Sequence, residues 1–168
     1  MILFITGGAR SGKSKYAQNL ALTYTETPVY VATAKDWGGD FSQRIQRHQN
    51  DRGAEWTNYE AQKYVSVLPI KNRVVVIDCV TLWLTNFFIA YKNDIDQSLA
   101  AFISEINALQ NMNGTFIIVS NEIGMGVHAE TEVGRRFTDL QGWANQHVAS
   151  KAAKVILMVS GIPVIIKE

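Results

Sequence analysis

An apolar stretch, ILFIT (2–6), runs directly into GGARSGKS (7–14), and this junction constrains the fold more than any other feature of the chain. Gly7, Gly12, Lys13 and Ser14 match G-x-x-x-x-G-K-[ST], the pattern of a loop that wraps phosphate in its own backbone N–H groups. The pattern works only between a strand and a helix, because the helix N-terminus adds positive potential and the strand holds the loop at a sheet edge. Both flanks are present. KSKYAQNLALTY (13–24) places Ala17, Leu20, Ala21 and Tyr24 at helical spacing. In such a loop Lys13 bridges the β- and γ-phosphates and the Ser14 hydroxyl holds Mg²⁺. The chain is therefore expected to bind a nucleotide and to build a sheet around its first strand.

The remainder fits that expectation. VYVAT (29–33), VVVID (74–78), FIIVS (116–120) and VILMVS (155–160) are short, β-rich and nearly all apolar, as strands covered on both faces of a parallel sheet must be. Helical stretches are expected near 13–24, 40–50, 80–91, 96–112 and 130–152. In the fourth, Leu99, Phe102, Ile103, Ile106 and Leu109 form one stripe, with Asp96 as the expected N-cap. VIIK (164–167) follows the tight GIP turn and is expected to return antiparallel at the edge. The expected fold is α/β: a mostly parallel, doubly wound sheet with a C-terminal antiparallel edge strand, in one domain over 1–168.

Composition narrows the function. At 168 residues and 47% hydrophobic, the chain can bury a substantial core. A net charge of +1 leaves no basic footprint for nucleic acid, and no apolar run is long enough for a membrane span or a signal peptide. The single cysteine, Cys79, fits a reducing compartment, so a soluble, cytoplasmic protein is expected.

Three further features carry chemistry. Asp78 ends an apolar strand and should reach the carboxyl edge of the sheet beside the phosphate loop, where it would hold Mg²⁺ directly or through water; the alternative is a helix N-cap for VTLWLTNFF. SNEIGMG (120–126) brings Asn121 and Glu122 to the same edge on a glycine-containing loop. In RIQRHQNDR (44–52), Arg44, His48 and Arg52 share one helical face. Three cationic groups on one stripe suit either solvent or an anionic ligand.

GGARSGKSKYA, RIQRHQNDR, SNEIGMGV and VSGIPVIIK together resemble the bifunctional adenosylcobinamide kinase and adenosylcobinamide-phosphate guanylyltransferase family of cobalamin biosynthesis, from Met1 to about Lys167. The spacing R-I-x-x-H-x-x-x-R is its most specific element. The resemblance implies a RecA-like P-loop NTPase fold and two reactions. One phosphorylates the aminopropanol hydroxyl of adenosylcobinamide with ATP or GTP. The other moves GMP from GTP onto that phosphate through a guanylyl-histidine, which falls on His48; Lys13 serves the phosphates. It also implies nucleotide contacts at Gly7, Gly8, Ala9, Arg10, Ser11, Gly12, Lys13 and Ser14, at Ala32, Thr33 and Ala34, at Gln49, Asn50, Asp51 and Arg52, and at Glu60 and Asp78. Ser14 and Asp78 would hold Mg²⁺, and the protein would be a homo-oligomer, a trimer in the family. Two positions depart from the family pattern. Ala129 replaces an expected proline and Asn58 an expected threonine, and neither removes a charge or a nucleophile. Two other functions remain open at this point: a single-reaction P-loop small-molecule kinase, and a RecA-like module that hydrolyses nucleotide to drive assembly.

Overall fold

The computed structural model describes residues 1–34 and 53–168. Among these residues seven strands form one sheet: β1 (Ile2–Gly7), β2 (Val29–Ala32), β3 (Thr57–Glu60), β4 (Val74–Asp78), β5 (Thr115–Val119), β6 (Lys154–Val159) and β7 (Ile162–Lys167). Their spatial order is β3-β2-β4-β5-β1-β6-β7. Every neighbouring pair is parallel except β6–β7. The expected antiparallel return is thus present. Ser160 and Gly161 both take positive φ (52° and 84°), the left-handed pair that a two-residue hairpin turn requires.

Alternation along the strands sorts the core into two layers. Ile2 and Phe4 of β1 face one side, with Val75 and Ile77 of β4. There they pack under α2 (Val80–Ala90), α3 (Ile95–Asn111) and α4 (Glu132–Lys151), which contribute Trp83, Phe87, Phe102, Ile106, Leu140 and Val148. Leu3 and Ile5 face the other side with Val76 and Ile117, under Ala17 and Ala21 of α1 (Lys13–Tyr24) and Trp56. A strand buried on both faces must be apolar at every position, which explains the unbroken runs.

Several expectations need adjustment. Asp94, not Asp96, caps α3: its Oδ1 accepts from the Gln97 N–H at 2.8 Å, while Asp96 lies in the first turn. The left-handed pair Lys92 and Asn93 ends the preceding turn, so the helix begins two residues earlier than expected. Tyr24, counted on the inner face of α1, is half exposed. β3 was not anticipated, because TNYE is polar; among the described strands it is an edge strand and pairs only with β2. The expected helix at 40–50 lies outside the described residues, as do Arg44, His48, Gln49, Asn50, Asp51 and Arg52.

Candidate active site

The phosphate loop connects β1 to α1 and is held from both sides. Gly7 takes φ +148°, and a Cβ there would lie 2.5 Å from the Met158 carbonyl oxygen, so no other residue fits against β6. Gly12 is the N-cap of α1 at φ +93°, and its Cβ would meet Gly161 Cα at 3.3 Å. The Gly161 N–H donates to the Ser11 carbonyl at 3.0 Å, which ties the β6–β7 turn to the loop. Lys13 is buried; its ammonium donates to the Gly8 carbonyl at 2.6 Å and to Ser11 Oγ at 3.4 Å. Burial lowers the Lys13 pKa, and the charge of Asp78 opposes that shift. The lysine and the aspartate therefore feel each other across the edge of the sheet, as a phosphate lysine and a metal carboxylate should.

Asp78 ends β4. It is not the N-cap of α2: that position belongs to Cys79, which makes no side-chain capping bond, and the Asp78 Oδ2 instead accepts from the Tyr30 hydroxyl at 2.9 Å. Asp78 and Glu60 both pair in register with Ala32, so the three residues form one row along the carboxyl edge. Thr33 is fully buried. Its hydroxyl donates to the Cys79 carbonyl at 2.7 Å and accepts from the Cys79 N–H at 2.8 Å, so it clamps the end of β4. Asn86 of α2 donates to the Thr33 carbonyl and to that of Gln62. Cys79 is a packing residue; burial, with the charge of Asp78, pushes its thiol up to about 12.

The loop after β5 supplies the third side. The Glu122 N–H donates to the Gly7 carbonyl at 2.9 Å, placing residue 122 at the start of the phosphate loop. The Glu122 Oε1 accepts from the Gly124 N–H at 2.7 Å. Beneath it lies a buried polar knot. Ser120 Oγ donates to Asn145 Oδ1 at 2.6 Å, Gln141 Nε2 donates to both, and Asn145 Nδ2 donates to the Asn121 carbonyl. The Asn121 amide reaches Thr81 Oγ1 at 3.1 Å. Sequence reasoning missed Tyr30, Gln141 and Asn145. The available signal was a pair of amides four residues apart on the inward face of α4, where an apolar residue is the default.

The structure therefore assembles Gly7–Ser14, Ala32–Ala34, Glu60 and Asp78 along one sheet edge. His128 lies exposed on the loop after β5, and His147 packs on α4 against Asn107 Oδ1 at 3.3 Å. Ser14 and Asp78 fit the sparse protein contribution that Mg²⁺ takes beside phosphates. Among the described residues no three His, Cys, Asp or Glu side chains gather as a self-sufficient metal cage.

The family described as cobinamide kinase / cobinamide phosphate guanyltransferase matches residues 3–166. The chain belongs to this family. It is 35% identical, over 99% of its own length and 100% of the relative's, to the bifunctional adenosylcobalamin biosynthesis protein CobU of Escherichia coli. It is 34% identical to the bifunctional adenosylcobalamin biosynthesis protein CobP of Pseudomonas aeruginosa, over 97% of this chain and 95% of that one. Among solved structures, an ATPase of the type III secretion system of pathogenic bacteria aligns with a TM-score of 0.51 at 11% identity, covering 93% of this chain and 50% of that one. That likeness concerns the fold, a P-loop NTPase sheet. Among the described residues, no helix of this family member is long and apolar enough to cross a membrane.

Proposed function

We propose that the chain phosphorylates adenosylcobinamide with a nucleoside triphosphate and then transfers GMP from GTP to the product, giving adenosylcobinamide-GDP. The observation that carries this reading is a phosphate loop facing a strand-end carboxylate, within a chain matched nearly end to end by a family described by both activities. The N–H groups of the loop and Lys13 bind and orient the phosphates, and their charge offsets what develops during transfer. Mg²⁺, held by the Ser14 hydroxyl and Asp78, would supply further charge neutralisation on the phosphate oxygens. Tyr30 fixes Asp78 Oδ2, which leaves Oδ1 to face that role.

His48 is the nucleophile for guanylyl transfer, with Arg52 and Arg44 neutralising the α-phosphate, and Gln49–Arg52, Ala32–Ala34 and Glu60 complete the nucleotide site. An imidazole, with an ordinary pKa of about 6.5, is largely neutral and nucleophilic at neutral pH. The protein works as a cytoplasmic homo-oligomer. β7 supports that reading, since Ile162, Val164, Ile165 and Ile166 all stand exposed on an open sheet edge.

The test is mass spectrometry after incubation with GTP and Mg²⁺, in mild base because a phosphoramidate is acid-labile. A GMP adduct is expected on the peptide containing His48 and is expected to vanish in His48→Asn, with phosphorylation reduced far less than guanylyl transfer. An adduct elsewhere, or full guanylyl transfer by the variant, would remove His48 from the mechanism and leave a kinase.

A further inference from the structure

A cleft of about 340 Å³ is lined by Gly8 and Ser11 of the phosphate loop, by Glu122 and Met125 of the loop after β5, and by Met158 and Val159 at the end of β6. We infer that this cleft receives the alcohol-bearing arm of the corrinoid substrate, and that Glu122 is the general base that takes the proton of its hydroxyl.

Position singles out Glu122. Among the described residues three carboxylates end or follow strands along this edge, and neighbouring strands lie about 4.8 Å apart. Glu122 follows β5, one strand from the phosphate-loop strand β1; Asp78 on β4 is two strands away, and Glu60 on β3 is four. That places Glu60 roughly 19 Å off, too far to act at the phosphate loop. Asp78 has one oxygen bound by Tyr30 and acts on Lys13. Glu122 has its backbone bonded to Gly7, and its Oε1 receives the Gly124 N–H. Oε2 has no hydrogen-bond partner among the described residues, and the residue lines the cleft.

The walls suit the arm. A short aminopropanol carries a methyl beside its hydroxyl, and here Met125, Leu157 and Val159 offer apolar contact while a single carboxylate meets the polar group. Met125 is 81% exposed, a large apolar side chain at the mouth that the described residues leave largely uncovered. Gly8, at the same mouth, has no atom within 4 Å of its Cβ position, so the approach to the loop is open there.

The step balances without further reagents. The hydroxyl O–H bond breaks, its proton passes to Glu122, and the oxygen pair forms the bond to the γ-phosphorus. The bond from the γ-phosphorus to its bridging oxygen breaks, and the nucleoside diphosphate leaves with that pair. Glu122 then returns the proton to water. Guanylyl transfer differs, because its acceptor is a phosphate already ionised near neutral pH, with no hydroxyl proton that must be removed. A base at Glu122 is therefore needed for one reaction and idle in the other.

Glu122→Gln keeps the Gly124 hydrogen bond and the shape of the loop. A positioned base contributes about 10²–10⁴-fold. The variant is expected to lose about 10²-fold or more in phosphorylation kcat. Transfer of GMP to adenosylcobinamide phosphate supplied as substrate should stay within about threefold of wild type, a change too small for a lost general base. A parallel fall in both reactions would make Glu122 a structural or metal-linked residue, and unimpaired phosphorylation would remove it from the chemistry; either overturns the inference. The inference rests on the kinase half of the proposed function. Failure of the wild-type protein to phosphorylate adenosylcobinamide would sink that half itself, whereas a variant matching an active wild type would sink only the base.

Discussion

Two loops meet at the carboxyl edge of this sheet, and they are built on opposite plans. The phosphate loop is gripped along its length: Gly7 against the Met158 carbonyl, Gly12 against Gly161, Ser11 bonded to Gly161, Lys13 folded onto Gly8. The loop after β5 is gripped at its two ends, by Ser120, Gln141, Asn145 and the Glu122 bond to Gly7 at the root and by Arg135 on the Ala129 and Glu130 carbonyls beyond, while Met125 and Val127 between them stand almost fully in solvent. The difference follows the ligands that each is assigned. A phosphate has one shape, and a preorganised cradle loses nothing to reorganisation when charge moves. The short arm of a bulky substrate must enter and leave, so the loop facing it needs fixed ends and a free tip.

Substitutions that attack each plan should separate them. The largest effect is expected from Lys13→Ala. It removes the charge between the phosphates and should cost both reactions about 10³-fold. The fold gives up only the hydrogen bonds to Gly8 and Ser11, so circular dichroism and the melting profile should stay near wild type; a folded variant with wild-type phosphorylation would refute the cradle.

Next comes the same substitution made in each loop. Gly7→Ala drives a Cβ to 2.5 Å from a backbone oxygen at a φ that disfavours side chains, and should destabilise by about 3 kcal/mol, roughly 10 °C in melting temperature. Gly126→Ala meets no atom within 4 Å and should fall within about 0.5 kcal/mol of wild type. Equal melting shifts in the pair would abolish the distinction between a gripped loop and a free one.

Asn145→Ala tests the root of the second loop. It removes the shared acceptor of the buried Ser120 hydroxyl and Gln141 amide, leaving them only each other and the Asn121 carbonyl, a loss worth about 2 kcal/mol. Urea unfolding should register that loss, and hydrogen exchange should quicken at residues 121–124 while the amides of residues 8–14 keep their protection. Equal loosening of both loops would show that they share one anchor.

Much of this was legible in the chain because burial on two faces leaves a plain record. The unbroken apolar runs located β1, β2, β4, β5 and β6 to within a residue or two, and G-x-x-x-x-G-K-S located the loop between β1 and α1. β3 escaped for the complementary reason: an edge strand exposed at alternate positions needs no apolar run, and TNYE has none. Asp78 was placed correctly at its strand end, yet Tyr30, the residue that orients it, lies 48 positions away and has no local signature. The amide knot under Asn121 was equally hidden, since Gln141 and Asn145 become partners of Ser120 only when α4 packs on the sheet. Local pattern reports what a residue is buried in; it does not report which distant residue it will bond.

The contact between the β6–β7 turn and the phosphate loop has a consequence for the order in which the molecule is made. Residues 11 and 161 lie near opposite ends of the chain, and β1 sits between β5 and β6 rather than beside its sequence neighbour β2. The nucleotide motif leaves the ribosome long before the wall that shapes it. Closing so long a loop has its own entropic cost, met only when the C-terminal hairpin docks. A growing chain therefore carries the letters of the nucleotide site without its shape until β6 and β7 have been made.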